Sequence, residues 1–216
     1  MIVISDILAV EARVSGFDAV LFDLDDTLYS EKEYVRSGYR QVAALFPEHP
    51  GAEDMLWGFF LKKKPAIDCF LEQIGAPSDL KAKCLEVYRT HDPDIHLYPG
   101  VRDMLIRLKR RHRLGLITDG RPEGQRAKIR ALGIAPLFDA VVVTDELGGA
   151  AYRKPNPIAF QQMAERFGAA CGRMCYIGDN INKDVEGPES LGMTAILFQN
   201  RDGLYTGGIL ENGRKS

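Results

Sequence analysis

Ala19-Val20-Leu21-Phe22-Asp23-Leu24-Asp25-Asp26-Thr27-Leu28 runs four apolar residues straight into three acids and a threonine. The apolar half reads as a buried strand. Acids at the end of such a strand repel one another and lose hydration, which is costly without a counter-charge. A divalent cation resolves that conflict, and hard oxygen donors suit Mg²⁺. Asp23 and Asp25 are two apart, so an extended backbone points them the same way. One is placed to attack and the other to handle protons. Taken alone, the stretch also fits a strand followed by an acidic turn.

Downstream of this stretch the pattern is helical. Residues 33–46 carry helical periodicity at Tyr34, Tyr39, Val42 and Leu45, and Pro47 and Pro50-Gly51 stop it. Further helices fit 53–64, 66–74 and 78–91. Lys62-Lys63-Lys64 reads as cations stabilising a helix C-terminus before Pro65, with a phosphate site as the alternative. Residues 28–97 contain no good strand and read as a helical insert.

After residue 97 strands and helices alternate. Strands are expected at 114–118, 140–144, 174–177 and 194–198, with helices at 98–111, 123–132, 157–167 and 184–191. That alternation predicts an α/β fold with a doubly wound, Rossmann-like parallel sheet and right-handed crossovers. Residues 1–27 and 98–216 would form the core, with 1–16 as an N-terminal segment, a short helix or arm packed on it. The polar tail 211–216 is expected to fray. Ligands of such a sheet bind beyond the carboxyl ends of its strands. Asp23/Asp25, Thr118-Asp119-Gly120 and Asp179 all fall there, and Lys154, just before a helix, supplies the cation this acidic rim otherwise lacks.

Composition narrows the partners. Apolar residues make up 45% and charged residues 27%, ordinary for a globular chain, and the net charge is −2. This favours neither a nucleic-acid polymer nor an acidic membrane. No segment approaches the roughly 18 apolar residues of a membrane span, and the apolar N-terminus lacks a basic region. Cys69, Cys84, Cys171 and Cys175 show neither Cys-x-x-Cys nor zinc spacing, and are expected as buried thiols in a reducing cytoplasm. The four histidines lack ligand spacing too, and His91 and His96 flank a linker.

These residues resemble the phosphatase branch of the haloacid dehalogenase superfamily. Its Asp-x-Asp-x-Thr motif is Asp23-Leu24-Asp25-Asp26-Thr27. An apolar strand ending in threonine is Leu116-Ile117-Thr118. The lysine motif is Lys154 in Arg153-Lys154-Pro155-Asn156-Pro157, and Gly-Asp with a later Asp is Gly178-Asp179 with Asp184. The resemblance implies that 28–97 is a helical cap, joined by linkers near 28–31 and 96–99. It implies Asp23 as nucleophile, Asp25 as general acid and base, and Thr118 and Lys154 as phosphoryl binders. It places Mg²⁺ on the Asp23 and Asp179 carboxylates and the Asp25 carbonyl, with Asp184 behind or among them. Asp119, Gly120 and Arg121 are further candidates for substrate contact, as are Arg153, Tyr29, Glu31, Tyr34 and Arg36. Asn180 is either a turn residue or a holder of a metal-bound water, and Asp26 a capping residue. Pro188 departs from the family, which more often has a small residue there, and is expected to kink its helix.

The expected activity is Mg²⁺-dependent hydrolysis of a phosphomonoester of a small metabolite, such as a nucleotide or sugar phosphate, by a cytoplasmic monomer or homodimer. Dehalogenases of the superfamily lack the second Asp, which Asp25 supplies here. A mutase would need a second phosphate site. A non-catalytic binding protein on the same fold would have lost one of Asp23, Asp25, Lys154 or Asp179.

Overall fold

A computed structural model describes residues 1–77 and 79–204. Ser78, the first residue of one expected helix, and the tail expected to fray lie outside the described residues. The chain divides into two compact units. One holds Met1–Glu31 and the chain from His96 on; the other is Lys32–Ile95.

The first unit is built on a six-stranded sheet. Its strands are β1 (Ile2–Ile4), β2 (Ala19–Phe22), β3 (Arg113–Thr118), β4 (Ala140–Val143), β5 (Met174–Gly178) and β6 (Thr194–Phe198). They lie in the order β1-β6-β5-β2-β3-β4, and every pairing is parallel. β2 is wholly buried, which explains its uninterrupted apolar run. Its alternate residues Ala19 and Leu21 pack with Phe160 and Met163. By alternation Val20 and Phe22 face the opposite layer, where Phe22 meets Phe138 edge-on at 6.3 Å.

The order of the strands positions the site. From β2 the chain proceeds outward through β3 and β4, then returns to lay β5 on β2's other side. The crevice of a doubly wound sheet opens at such a reversal, beyond the strands' carboxyl ends. Phe22 pairs with both Leu116 and Ile177. Asp23 therefore leaves the sheet between Thr118 and Asp179.

Two expectations need correcting. The N-terminal arm is not a lone helix: Ile2–Ile4 forms the edge strand β1 on β6, and a 3₁₀ turn follows at Ile7–Ala12. The helix expected over 184–191 is instead two short pieces, Ile181–Asp184 and Glu186–Ser190, meeting at Val185 (φ −109°, ψ −57°). Pro188 has no N–H to give the Asp184 carbonyl, so the helix breaks there rather than merely kinking.

The second unit is helical. Helices α1 (Glu31–Ala43), α2 (Ala52–Leu61), α3 (Ala66–Gln73) and α4 (Leu80–Thr90) surround Val42, Leu56, Phe70 and Cys84, each fully buried. Lys62, Lys63 and Lys64 lie exposed in the turn that ends α2, with Lys63 at φ 56°. Cys84 and Cys175 are buried as expected; Cys69 and Cys171 are only half-buried, and all four are free thiols. No helix among the described residues is long and apolar enough to cross a membrane.

Candidate functional site

The site grows from the carboxyl ends of β2, β3 and β5. Asp23 follows β2 directly, and its backbone N–H donates to the Ile177 carbonyl at 2.8 Å, extending the ladder by one bond. Its carboxylate accepts from Lys154 Nζ at 2.6 Å. The same ammonium donates to Asp184 Oδ1 at 2.8 Å and to Tyr176 Oη at 2.8 Å, which satisfies its three hydrogens. Asp23, Lys154 and Asp184 are buried, with relative exposures of 6%, 5% and 2%. Burial works against the charge on Lys154, but Asp184 and Asp23 outweigh it and hold the ammonium well above the usual lysine range.

Asp184 comes within reach because the chain beside it is bare. A Cβ on Gly178 would lie 2.4 Å from the Asp184 carboxylate. Asp184 Oδ2 also accepts from the Asn180 N–H at 2.9 Å. Asn180 itself caps the next helical turn, its side chain accepting from Asn182 N at 3.1 Å, which is the turn role of the two expected for it.

Asp23, Asp179 and Asp184 offer carboxylate oxygens within 4.8 Å of one another. Burial and the charges of Asp23 and Asp184 push Asp179 up to about 9. Burial likewise pushes Asp23 up to about 7, with Lys154 opposing and Asp184 and Asp25 adding to it. With all three carboxyls ionised, one ammonium leaves a deficit of two charges, and burial together with this deficit is why Asp23 and Asp179 hold their protons so strongly. A divalent cation on hard oxygen ligands matches that deficit in charge and chemistry.

Asp25 sits apart from this cluster. Lys128 Nζ donates to its Oδ1 at 2.7 Å, Tyr29 Oη donates to the same oxygen, and Gln125 Nε2 donates to Oδ2 at 3.0 Å. Burial opposes ionisation of Asp25. The Lys128 ammonium, helped by Tyr29 and Gln125, outweighs it and holds the carboxyl below the usual range. Gln125 and Lys128 were not singled out in the sequence. They lie on α6 (Pro122–Ala131), the helix after β3. Their spacing of three puts both on one face, and both are buried. A lysine and a glutamine beside Ile129 on that face are the available signal. Gly120, at φ 136°, makes room: a Cβ there would lie 2.8 Å from Gln125 Nε2.

The other expected site residues separate by geometry. Thr118 Oγ1 is buried with no hydrogen-bond partner among the described residues. Asp119 instead turns its carboxylate to the scaffold, where Oδ1 accepts from Lys154 N and Thr144 Oγ1, each at 3.0 Å. It thereby holds the loop that carries Lys154. Arg121 is exposed at the N-cap of α6. Arg153 forms a two-pronged pair with Asp145, at 2.7 Å on each prong. Asp26 is a cap: at φ 52° its Oδ1 accepts from Glu31 N, the first residue of α1, at 2.9 Å. Glu31's own carboxyl is pushed up to about 8 by burial and by Asp25.

Tyr29 is taken up by Asp25. In the helical unit, Tyr34 packs on His91 with ring centroids 4.8 Å apart, and Arg36 pairs with Glu53 at 2.9 Å and Asp54 at 3.0 Å. The two connecting segments are themselves joined: Tyr29 bridges to Leu97, and Tyr98 N donates to Leu28 O at 3.0 Å.

Comparison with known proteins identifies the family. Residues 17–192 match the family described as hydrolase, haloacid dehalogenase-like hydrolase. The chain is 30% identical to the glyceraldehyde 3-phosphate phosphatase of Methanocaldococcus jannaschii, over 82% of each. It is 27% identical to the N-acylneuraminate-9-phosphatase of Homo sapiens, over 88% of this chain and 86% of that one. Among solved structures, the 2-haloacid dehalogenase from Pseudomonas syringae pv. Tomato DC3000 aligns with a TM-score of 0.59. That protein is 25% identical over 85% of this chain and 86% of its own.

Proposed function

From the premise that the chain belongs to the haloacid dehalogenase-like hydrolase family, we propose that it hydrolyses a phosphomonoester of a small metabolite through an aspartyl-phosphate on Asp23, with Mg²⁺ as cofactor. One observation carries this reading. Two carboxylates two residues apart stand in opposite electrostatic settings, Asp23 in a cluster short of positive charge and Asp25 paired with Lys128. Such a division assigns different tasks to the two acids. A dehalogenase of this fold has no use for the second.

Asp23 attacks phosphorus, and the bond from phosphorus to the leaving oxygen breaks as the aspartyl-phosphate forms. The leaving oxygen needs a proton. Asp25 is held as an anion in this structure, so that proton enters with the substrate and passes through Asp25. Water then attacks the phosphorus of the aspartyl-phosphate and gives its own proton to Asp25, releasing phosphate and free Asp23. Thr118 Oγ1 holds a phosphoryl oxygen, while Lys154, fixed by Asp184 and Tyr176, offsets the phosphoryl charge from beside Asp23. Asp23, Asp179 and the Asp25 carbonyl, with Asp184 behind or among them, would hold a divalent cation, which would offset the repulsion between carboxylate and phosphoryl oxygens. We assign the helical unit the role of the cap that selects the leaving group. The two phosphatase relatives are named for glyceraldehyde 3-phosphate and for N-acylneuraminate 9-phosphate, which supports a small phosphorylated metabolite as the substrate.

The test is phosphate release from an aryl phosphate after chelation, then with each ion added back. Mg²⁺ is expected to restore turnover and Ca²⁺ to inhibit. Ca²⁺ accepts more oxygens and would engage both oxygens of Asp23, leaving none to attack. Full activity in excess chelator, or equal rescue by Ca²⁺, contradicts the reading.

Asp25→Asn supplies a second test. Loss of the proton carrier should cost about 10²–10⁴-fold on an alkyl phosphate and much less on an aryl phosphate, whose leaving group is a weak base. Equal losses on the two esters would show that Asp25 moves no proton to the leaving group.

A further inference from the structure

The run Arg107-Leu108-Lys109-Arg110-Arg111-His112-Arg113 is the densest charge in a chain whose net charge is −2. It spans the end of the helix α5 (Val101–Lys109) and the first residue of β3. This is the amino end of the sheet, opposite the site described above. Asp18 stands immediately before β2 and Arg173 immediately before β5. A strand of this length separates Asp18 from Asp23 by roughly 16 Å.

A cavity of about 530 Å³ opens here, with Arg107, Arg110, Arg111 and Arg173 in its walls and Phe17 and His112 among its lining. A second hollow of about 430 Å³ shares Arg111 and His112 with it and adds Lys109 and Arg113. Six Lys/Arg side chains line the two, against the three carboxylates Glu11, Asp18 and Asp139.

Those acids are already committed. Glu11 takes both prongs of Arg107, at 2.8 and 2.6 Å, and Asp18 takes both prongs of Arg173, at 3.1 and 2.7 Å. Lys109 reaches the Pro136 carbonyl at 2.9 Å and Asp139 at 3.4 Å. These pairs fix two guanidinium groups in the walls. The helix C-terminus accounts for Arg107 and Lys109, since cations are favourable there. The helix C-terminus likewise accounts for Arg110, which caps it, and Glu11 feels the charge of Arg111, but no carboxylate among the described residues lies at ion-pair distance from Arg110, Arg111 or Arg113. Two guanidinium groups outside any ion pair, Arg110 and Arg111, therefore line the first cavity, and Arg113 lines the adjoining one, the reverse of what self-repulsion alone would select.

The chemistry of the walls defines the ligand. Guanidinium forks match the oxygens of phosphate groups, and several forks around one hollow match more than one such group. The volume is that of a small-molecule site rather than of a single ion. His112 Nδ1 donates to the Phe17 carbonyl at 2.8 Å, which holds its ring in place beside the Phe17 backbone. We propose that this cavity binds a small molecule carrying two or more phosphate groups, at a site separate from the catalytic one.

Equilibrium dialysis of the whole chain against pyrophosphate tests this, in chelator and at about 0.15 M salt, where exposed charges are screened beyond about 8 Å. Chelator leaves the catalytic cluster with its excess of carboxylates, so that end repels the probe. Saturable binding of one pyrophosphate is expected. Arg110→Ala/Arg111→Ala alters only exposed side chains and should weaken it about tenfold or more. Thr118→Val, placed in the catalytic site, should leave it unchanged. No saturable binding by the parent, or binding that survives the double arginine change, overturns the proposal.

Discussion

Asp23→Asn is expected to abolish turnover, by on the order of a thousandfold or more, while the chain stays folded. The amide is close to isosteric with the carboxylate, and its Oδ1 can still accept from Lys154. What is lost is the nucleophile. Stability should move the other way. The Asp23 carboxyl is raised from an ordinary 3.8 to about 7, by burial first, so the fold prefers it protonated. Below an ordinary carboxylate pKa both folded and unfolded chains carry the proton, and the group contributes nothing. As pH rises toward 7 the unfolded chain releases the proton first, and the penalty on the fold grows; above that it is complete. The variant escapes this penalty. In chelator its melting temperature should exceed the parent's above pH 7, and the gap should close as pH falls toward 4. Turnover within about tenfold of the parent would contradict the covalent mechanism. A gap that widens on acidification would contradict the electrostatic account of the cluster.

What the sequence revealed of this site follows from where its residues sit. Asp23, Thr118 and Asp179 each close an apolar strand, and a polar residue there stands out against the run before it. Lys154 stands out as a cation beside a rim of acids. Gln125 and Lys128 do not stand out, because polar residues on a helix are ordinary and only the fold turns their face inward. Tyr176 reads as one more core aromatic of β5; only the arrival of Lys154 from another loop gives its hydroxyl a task. The fold was legible on the same terms. Strands with their own apolar run, such as Ala19–Phe22, announce themselves. Ile2–Ile4 does not, since three residues set no period and Val3 stays 45% exposed; pairing with β6 makes it a strand. The break at Val185 lies three residues before the proline that causes it, because the missing N–H strands a carbonyl one turn back.

Lys154→Met should be the most damaging change to both activity and stability. The ammonium is buried with three partners, Asp23, Asp184 and Tyr176. Removing one member of a buried ion cluster strands the others, at a cost of about 3–5 kcal/mol. Asp184 has the least relief, being 2% exposed, with Tyr176 and the Asn180 N–H as its remaining partners. Turnover should fall by about 10²–10³-fold or more, since the phosphoryl oxygens lose a neighbouring positive charge and Asp23 loses its anchor. Activity alone does not separate a positioning defect from unfolding, so the decisive measurement is a double change. In Lys154→Met/Asp184→Asn one of the two stranded carboxylates is gone, and a substantial part of the lost stability should return in chelator while activity stays low. If the single change leaves the denaturation midpoint within about 0.5 kcal/mol of the parent, Lys154 is not holding the buried carboxylates together. If instead the double change is less stable than the parent by the sum of the separate losses, the two side chains are not coupled. Partial recovery of stability without recovery of turnover is the pattern that the Asp23–Lys154–Asp184 geometry requires.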